Sequence, residues 1–537
     1  MSLQVHYMDA PVGAQETAAV TSTASQPFGT AQQMVSGAPD LPWATLEPGS
    51  WALDGTGRLL PETSAELGWW SEQMSGEDGQ FAQPPILSVS FPSPYTATGL
   101  TFRFWPSLGQ WCSEIHISWY REENLLAETT AYPNGADWVL PFAVENFDRV
   151  DIRLLATNIP GRFAKLQQLQ IGQTVVFLQD EIAGVSLLNE ADPTLCRLTV
   201  DTMIVHLWDR RNRTLLPQKD QSIRLYRDGK QIASQYITDS NRDSRQNYTF
   251  RCQSAIGRLE DDFLGGIYAR QPIQPLLREV LGEFPFTVDS VFADAVVTGY
   301  LPVCTRREAL QQIAFVIGAA VTTQGDGTIR LFPPDTAVSG SFDGSSIFAG
   351  AKVSREAQTA AVQLLVHSYG KTDEQETLLD QESVQGENVL FLFSEPHHSY
   401  GLTGGTLVDS GENWVRITAD GEVVLTAKKY QHTTSVRTKL NPLATVAEKG
   451  NVVTVEKATL IHSGNAEDVL QRLYACHTLQ QVLEQDVVVA GHRAGQLVES
   501  PNPWGSKSVG YITKMESEFT GTGHTAAVTI RGREVAE

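Results

Sequence analysis

The nucleophiles and metal ligands of this 537-residue chain do not fall into the spacings that familiar catalytic sites need. There is no G-x-S-x-G turn to expose a serine, no GxxxxGK[ST] loop to bind phosphates and no HExxH pair to bind zinc. The five cysteines are far apart and odd in number, which indicates free thiols in a protein made in a reducing cytosol. The sequence therefore predicts no catalytic residues and no cofactor.

Histidines and carboxylates offer weaker candidates for a site. His397 and His398 are adjacent in a loop, and adjacent side chains point in different directions and seldom bind one metal. Glu260, Asp261 and Asp262 form a charge run, which is usually a solvated loop. The helix-loop-helix calcium pattern is missing. We therefore expect no metal site.

Tryptophan is the residue type whose distribution indicates recognition, because eight of the eleven lie between residues 41 and 172. An exposed indole offers a flat apolar face on which a sugar ring stacks, whereas tryptophan in a β-sandwich is usually core. Alternation in EIHISWY predicts that Trp119 is buried. Trp105 and Trp111 fall at strand ends or in a loop, so they are the candidate carbohydrate contacts.

Composition limits the partners of the chain. Lys and Arg number 40 against 62 Asp and Glu, for a net charge of -22. Proteins that bind nucleic acid neutralise phosphates with Lys and Arg, so specific nucleic-acid binding is not expected. No run of ~18 apolar residues predicts a membrane-spanning helix, and the first residues lack the pattern of a secretory signal.

The first half of the chain divides into three segments that differ in composition and in hydrophobic pattern. Residues 1–40 are rich in Ala, Ser, Thr, Gln and Gly and predict an extended arm, with a first strand at Leu3–Met8, that gains order by docking on something else. Residues 41–172 contain short alternating strands that predict a β-sandwich. Residues 173–258 predict an antiparallel barrel, and the Asp-Gly of residues 227–230 predicts a type I′ hairpin turn.

In residues 259–335 the apolar residues recur with the period of a helix, which predicts an α+β helix-hairpin domain. PIQPLLREVLGEF places its apolar residues on one face of a helix. A second helix is expected after Thr305, with Glu308 closing a capping box. The hairpin follows at AAVTTQGDGTIRLFPP, because Gly-Asp-Gly favours a tight turn.

Residues 336–537 return to strands and predict a second barrel. Asp-Gly at 420–421 is expected to set a hairpin turn, and a helix is expected at about residues 465–485 with Asn465 as its N-cap. The predicted fold class is mainly β with an α+β insert: a sandwich followed by two barrels and a helix-hairpin domain.

Four stretches resemble the baseplate hub proteins at the tail tip of bacteriophages, also called tail-associated proteins. They are QDEIAGVSLLNEADPTL with the CRLTVDTMIVHLWD that follows, the junction FRCQSAIGRLEDDFLGGIY, the helix and hairpin REALQQIAFVIGAAVTTQGDGTIRLFPP, and the closing VGYITKMESEFTGTGHTAAVTIRG. The resemblance covers about residues 173–537. Separately, WATLEPGSWALDG and GWWSEQ make residues 41–172 similar to a discoidin-like or galactose-binding-like jelly roll.

The hub resemblance implies a non-enzymatic homotrimer whose two barrels per chain form a ring of six around a channel. It implies a distal tail or tube protein above, a tape-measure protein inside, synthesis in the bacterial cytoplasm and a final place in the virion. The sandwich lies N-terminal to the hub-like region and the chain stops after the last barrel strand. A spike, fibre or cell-wall hydrolase would therefore be a separate protein.

Three functions compete on this sequence. The leading hypothesis is a structural hub whose acidic balance would let DNA slide through a channel. The alternative is a tail protein that binds host-surface carbohydrate through the sandwich. The third is an enzyme, either a peptidoglycan hydrolase or a protease.

Overall fold

Strands dominate this protein. The computed structural model describes residues 2–23, 25, 31–38, 43, 45, 47–49, 54, 67–520 and 523–535. Strand accounts for 55% and helix for 12%, distributed over several sheets, which confirms the predicted mainly β, multidomain fold class.

Strand β1 (Leu3–Asp9) comes first, and a β-sandwich follows it. Two one-turn helices, α1 (Ala14–Thr17) and α2 (Gln33–Ser36), lie near its beginning. Its strands are β2 (Ala19–Ser22), β3 (Trp69–Met74), β4 (Ile86–Ala97), β5 (Leu100–Arg103), β6 (Cys112–Arg121), β7 (Asn124–Ala131), β8 (Asp137–Leu140), β9 (Val144–Thr157), β10 (Phe163–Leu166) and β11 (Gln168–Ile171).

One layer of the sandwich is a five-stranded sheet in the order β2-β4-β9-β6-β7. The other layer contains β11-β5-β8 and the pair β10-β3. Both layers contribute to one apolar core. Trp119 lies in that core with 1% of its surface exposed, which confirms the prediction from alternation.

The first barrel continues with six strands after the sandwich. They are β12 (Gln173–Leu178), β13 (Ile182–Glu190), β14 (Thr202–Trp208), β15 (Ser222–Arg227), β16 (Lys230–Arg242) and β17 (Asn247–Gln253). The order is β12-β1-β15-β16-β17-β14-β13, and all seven strands bury side chains in one core. Asp228 and Gly229 both have positive φ, 50° and 77°, which confirms the type I′ turn.

Strand β1 corrects the prediction that residues 1–40 form one extended arm. It pairs with β12 on one side and with β15 on the other, so it is an internal strand of the first barrel. Its alternate residues Leu3, Val5 and Tyr7 are buried. The partner strands lie ~160 residues or more along the chain, which is why the local sequence did not reveal the pairing.

An α+β unit follows the first barrel. Its strands are β18 (Asp262–Phe263), β19 (Gly266–Pro272), β20 (Phe286–Val288), β21 (Val296–Leu301), β22 (Cys304–Thr305), β23 (Ala320–Thr322) and β24 (Ile329–Phe332). Helix α3 spans Ile273–Leu281 and α4 spans Arg306–Ile317. The capping box between Thr305 and Glu308 is present, and the hairpin of β23 and β24 forms as predicted.

Two short strands, β25 (Gly340–Ser341) and β26 (Lys352–Arg355), precede a long ribbon. The ribbon pairs β27 (Ala361–Leu392) with β30 (Trp414–Leu440) and carries β28 (His397–Thr403), β29 (Thr406–Ser410) and β31 (Val452–Val455). It has a small core of its own. The hairpin predicted at 420–421 is wrong, since Asp420 pairs with Gln385 inside the continuous strand β30.

Helix α5 spans Ala466–His477 and packs on the ribbon. Four strands end the chain: β32 (Gln481–Val488), β33 (Leu497–Pro501), β34 (Lys507–Thr520) and β35 (Gly523–Val535). The helix predicted to about residue 485 is therefore too long, because residues 481–488 alternate between buried and exposed and pair with β35. Together with β25 and β26 these four strands surround a second barrel core. The range 336–537 thus holds the ribbon and α5 as well as the second barrel.

Candidate assembly surfaces

The two barrels share one sheet. Strand β13 pairs with β14 of the first barrel on one side and with β34 of the second barrel on the other, in a register that runs from Val185–Phe519 to Glu190–Lys514. Phe519 is buried in the first core, whereas Ile512 of the same strand is buried in the second. Main-chain hydrogen bonds along β34 therefore fix the orientation of one barrel relative to the other.

The outward face of this shared sheet is polar and rich in carboxylates. Glu484 and Asp486 of β32, with Glu516 and Glu518 of β34, point away from the cores and are exposed. Lys514 lies on the same face, and its ammonium is 3.1 Å from the carboxylate of Glu516. The four carboxylates thus form an acidic cluster on this face, and Arg531 and Arg533 of β35 lie further along the same face.

A buried polar cluster joins the sandwich to the first barrel. The hydroxyl of Tyr7 donates to Gln221 Oε1 at 2.6 Å, and Gln221 Nε2 donates to the carbonyl of Ala10 at 2.9 Å. Asp9 accepts from Tyr7 at 3.0 Å and from Thr98 of the sandwich at 2.8 Å. Burial raises the pKa of Asp9 and that of Tyr7, although the hydrogen bonds to Asp9 oppose its shift.

The chain leaves the first barrel and returns to it at a single point. Asp9 pairs with Gln173, so β1 and β12 are the two strands of a hairpin whose loop has been replaced by the whole sandwich. A side chain at Gly172 would come within 2.5 Å of the Ala10 backbone, and this glycine has φ of 111°. Glycine is therefore needed where the two crossing segments touch.

Trp105 is buried and is not accessible to a carbohydrate. It has 0% exposure and packs edge-on against Trp70, with ring centroids 5.3 Å apart, in a small second core. Its candidacy as a sugar contact is corrected, because a ring with no exposed face cannot stack on a ligand. A position at a strand end favours exposure, but the β3–β10 side of the sandwich covers this one.

Trp111 is half-buried and stays a candidate. Its Nε1 donates to the carbonyl of Pro133 at 3.1 Å, and its backbone N–H donates to Asn158 Oδ1 at 3.0 Å. These bonds fix the indole beside the β7–β8 connection. The role of Trp111 in sugar binding stays a prediction.

Tyr132, which the sequence analysis missed, is 67% exposed. It follows Ala131, the last residue of β7, and precedes the Pro133 that Trp111 contacts. Glu114 and Gln80 lie at the same end of the sheet and hydrogen bond at 3.4 Å. An aromatic residue directly before a Pro-Asn-Gly turn is the local pattern that places it at an exposed end.

A buried ion pair lies inside the sandwich. The Lys165 ammonium is 2.6 Å from Glu47 Oε1, and both side chains are at most 1% exposed. Lys165 also donates to Gln110 and lies 4.9 Å from the ring centroid of Trp70. Burial lowers the pKa of Lys165 to about 8, against the opposing effect of Glu47. The pair is enclosed, so it supports the fold and offers no surface for binding.

The remaining reactive groups do not converge. Burial raises the pKa of the Cys112 and Cys304 thiols to about 12 and that of Cys476 to about 11, which disfavours the thiolate. His397 faces Glu376 at 3.7 Å, while His398 lies edge-on to Tyr430. Within the described ranges, no group of three or more His, Cys, Asp or Glu side chains is placed to hold a metal ion.

Comparison with known proteins gives similarity to several solved structures. A tail protein from Neisseria meningitidis matches at 10% identity over 65% of this chain and 92% of its own, with a TM-score of 0.42. The 43 kDa tail protein of prophage MuSo2 from Shewanella oneidensis matches at 8% identity over 66% and 93%, with a TM-score of 0.39. The chain is similar to phage tail proteins.

A third match concerns the sandwich. The family 32 carbohydrate-binding module of C. perfringens NanJ, solved with galactose, matches at 16% identity over 32% of this chain and 99% of its own, with a TM-score of 0.20. No family model matches the sequence, and no curated protein matches it. No helix among the described residues has the length and apolar character needed to cross a membrane.

Proposed function

We propose that this protein is the structural hub of a phage tail tip or of a related injection machine. In this proposal three copies form a ring that joins the tail tube to the tip and surrounds the channel. The observation that carries the proposal is the pairing of β13 with β34, which makes two barrels of one chain into a single rigid unit. Three such units supply six barrels, the number needed to match a sixfold tube to a threefold tip.

The chemistry of the surface supports the same role. The carboxylate cluster on the outward face of the shared sheet, with Asp486, Glu516 and Glu518, is suited to line a channel for DNA, because like charges repel the phosphate backbone. The proposed partners are a distal tail or tube protein and a tape-measure protein. The role proposed is non-enzymatic and the proposed location is the virion.

Native mass spectrometry of the purified full chain, followed by electron microscopy, tests this function. We expect three times the chain mass and a ring with six similar densities. A monomer at all concentrations, or a trimer whose barrels do not lie in one annulus, would contradict the proposal.

Carbohydrate binding by the sandwich is the second candidate function. It is favoured by the exposed Tyr132, which directly precedes the Pro133 that the indole of Trp111 contacts. Glu114, Gln80 and Asn158 lie at the same end and can form hydrogen bonds. Pyranose rings are recognised by this combination of an aromatic face and polar side chains.

A glycan array probed with the full chain tests this second function. We expect a retained sugar ligand whose binding is lost in Tyr132→Ala and weakened in Trp111→Ala. Val139→Ala, which changes another exposed apolar residue of the sandwich, is the matched control and should bind normally. Absence of any ligand from the array would remove this function and leave the hub proposal untouched.

A further inference from the structure

The segment that connects β30 to β31, residues 441–451, begins with a buried polar side chain. Asn441 is 6% exposed, and its Nδ2 donates to the carbonyl of Thr359 at 2.8 Å. Its Oδ1 accepts from the backbone N–H of Leu443 at 3.0 Å and from the hydroxyl of Tyr474 at 3.4 Å. One amide therefore fixes the start of the segment to the body of the protein.

The end of the same segment is fixed in the same way. Glu448 accepts from the backbone N–H of Gln358 at 3.0 Å and from that of Thr445 at 2.9 Å. Asn451 Nδ2 donates to the carbonyl of Gln358 at 3.1 Å. With both ends bonded, the backbone of this loop is held in one conformation.

The aliphatic side chains of this region point outward instead. Leu440 is 72% exposed, Leu443 74%, Val446 81% and Val452 40%. Leu440 and Val452 both pair with Ala361, so they share one row on the outer face of the ribbon. We call these four residues the outer patch.

A hydrogen-bonded loop that exposes aliphatic side chains is unfavourable for an isolated surface. Apolar area left in water is unfavourable, and covering it in an interface recovers that free energy. We propose that the outer patch binds a second copy of this chain and closes the ring. This inference rests on the trimer of the proposed function and names the surface that forms it.

Charge favours a second copy as the occupant. Within residues 434–457 there are four Lys and Arg and two Glu, a local net charge of +2 in a chain whose total is -22. Residues 279–305 contain four Asp and Glu and no Lys or Arg. In that range Val291 is 67% exposed and Val296 is 39% exposed, with Asp289 and Asp294 on either side of Val291.

The outer patch lies in a stretch of net positive charge, whereas the exposed valines Val291 and Val296 lie in an acidic stretch, so the two surfaces are complementary in charge. Both belong to the unit built around one core, which includes Phe292, Val297 and Leu364. A contact between two different patches of identical chains is heterologous, and rotation can close it into a ring. The valine surface with its flanking aspartates is therefore the part of the second copy that the outer patch meets.

The test compares oligomer mass for full-length variants over a range of concentrations. The variant L443E/V446E places charge at the contact and should raise the dissociation concentration of the trimer roughly 100-fold or more, since burying unpaired charge in an interface is costly. The matched control L125E/L126E adds the same charges at two exposed leucines of the sandwich and should remain trimeric.

A second variant, D289K/D294K, probes the opposite surface and should also weaken the trimer. Circular dichroism and thermal melting of each variant show whether the subunit is folded. A trimeric wild type whose mass is unaffected by both L443E/V446E and D289K/D294K overturns this inference and leaves the hub proposal standing. A wild type that is monomeric at all concentrations overturns both.

Discussion

Thr98 of the sandwich donates its hydroxyl hydrogen to Asp9 of the first barrel over 2.8 Å, and both side chains are buried. This bond crosses between two units that the sequence shows as separate segments. With Tyr7 and Gln221 it makes the connection a packed joint, so the sandwich is held in a defined direction relative to the barrel.

Replacing Thr98 by valine removes this donor while keeping the shape of the side chain. We expect a loss of about 1–3 kcal/mol in the free energy of unfolding, because Asp9 is left with an unsatisfied buried oxygen. Urea denaturation measures the change. Thr202→Val on an exposed strand position is the control and should change stability by less than about 0.5 kcal/mol.

Excision of the sandwich should leave a folded hub. Residues 11–171 are deleted and Ala10→Asn is introduced, so that the new asparagine and Gly172 become the two-residue turn between Asp9 and Gln173. We expect a cooperative thermal transition and the same number of chains per particle as in the full chain. An aggregated or unfolded product would show that the sandwich is needed for the barrel to form.

The buried pair of Lys165 and Glu47 should show strong coupling. Lys165→Met alone leaves a buried carboxylate without its cation and is expected to cost roughly 3–5 kcal/mol. The double variant with Glu47→Gln should recover most of that loss. A double-mutant cycle from urea denaturation gives the coupling, and additive effects of the two changes would contradict the prediction.

Asp201 should make stability depend on pH. Burial raises its pKa to about 7, while hydrogen bonds from Asn189 and from the Glu190 backbone oppose the shift. The folded state then binds more protons than the unfolded state between about pH 4 and pH 7, so Asp201 contributes a loss of stability as pH rises through this window.

The measurement for Asp201 is a series of thermal melts from pH 5 to pH 8. Asp201→Asn removes the titrating group, and its melting temperature should fall less over this range than that of the wild type. Between pH 5 and pH 7 the folded state keeps this proton and the unfolded state has lost it, so the expected difference is about 1.4 kcal/mol for each pH unit. Parallel curves for the two proteins would assign the pH dependence to other groups.

Local chemistry explains the parts of the fold that the sequence predicts. The turn at Asp228-Gly229 needs positive φ, and the capping box between Thr305 and Glu308 needs two residues three apart. The predicted stripe of α3, which includes Leu277 and Val280, is buried in full. Each of these features depends on residues that are close together in the sequence.

The errors all involve partners far away along the chain. Residues 481–485 fit a helical period as well as an alternating one, and pairing with β35 decides for the strand. Asp420 and Gly421 have a turn-forming sequence, but β27 supplies a partner for both. Trp105 is covered by a second small core that includes Trp43 and Trp70. Tyr132 is a different case, because its position directly before the Pro-Asn-Gly turn is a local signal of exposure that the sequence analysis did not use.

The place of β1 also sets an order of events during synthesis. The first nine residues leave the ribosome long before their neighbours β12 and β15, which end at Leu178 and Arg227. By then the ribosome has synthesised the whole sandwich, and the two ends of the folded sandwich hold Ala10 against Gly172. Pairing of β1 with β12 then requires closure of a local hairpin and not of a loop of ~160 residues, which has a smaller entropy cost. Mutations that slow folding of the sandwich should therefore delay maturation of a barrel whose own sequence is unchanged.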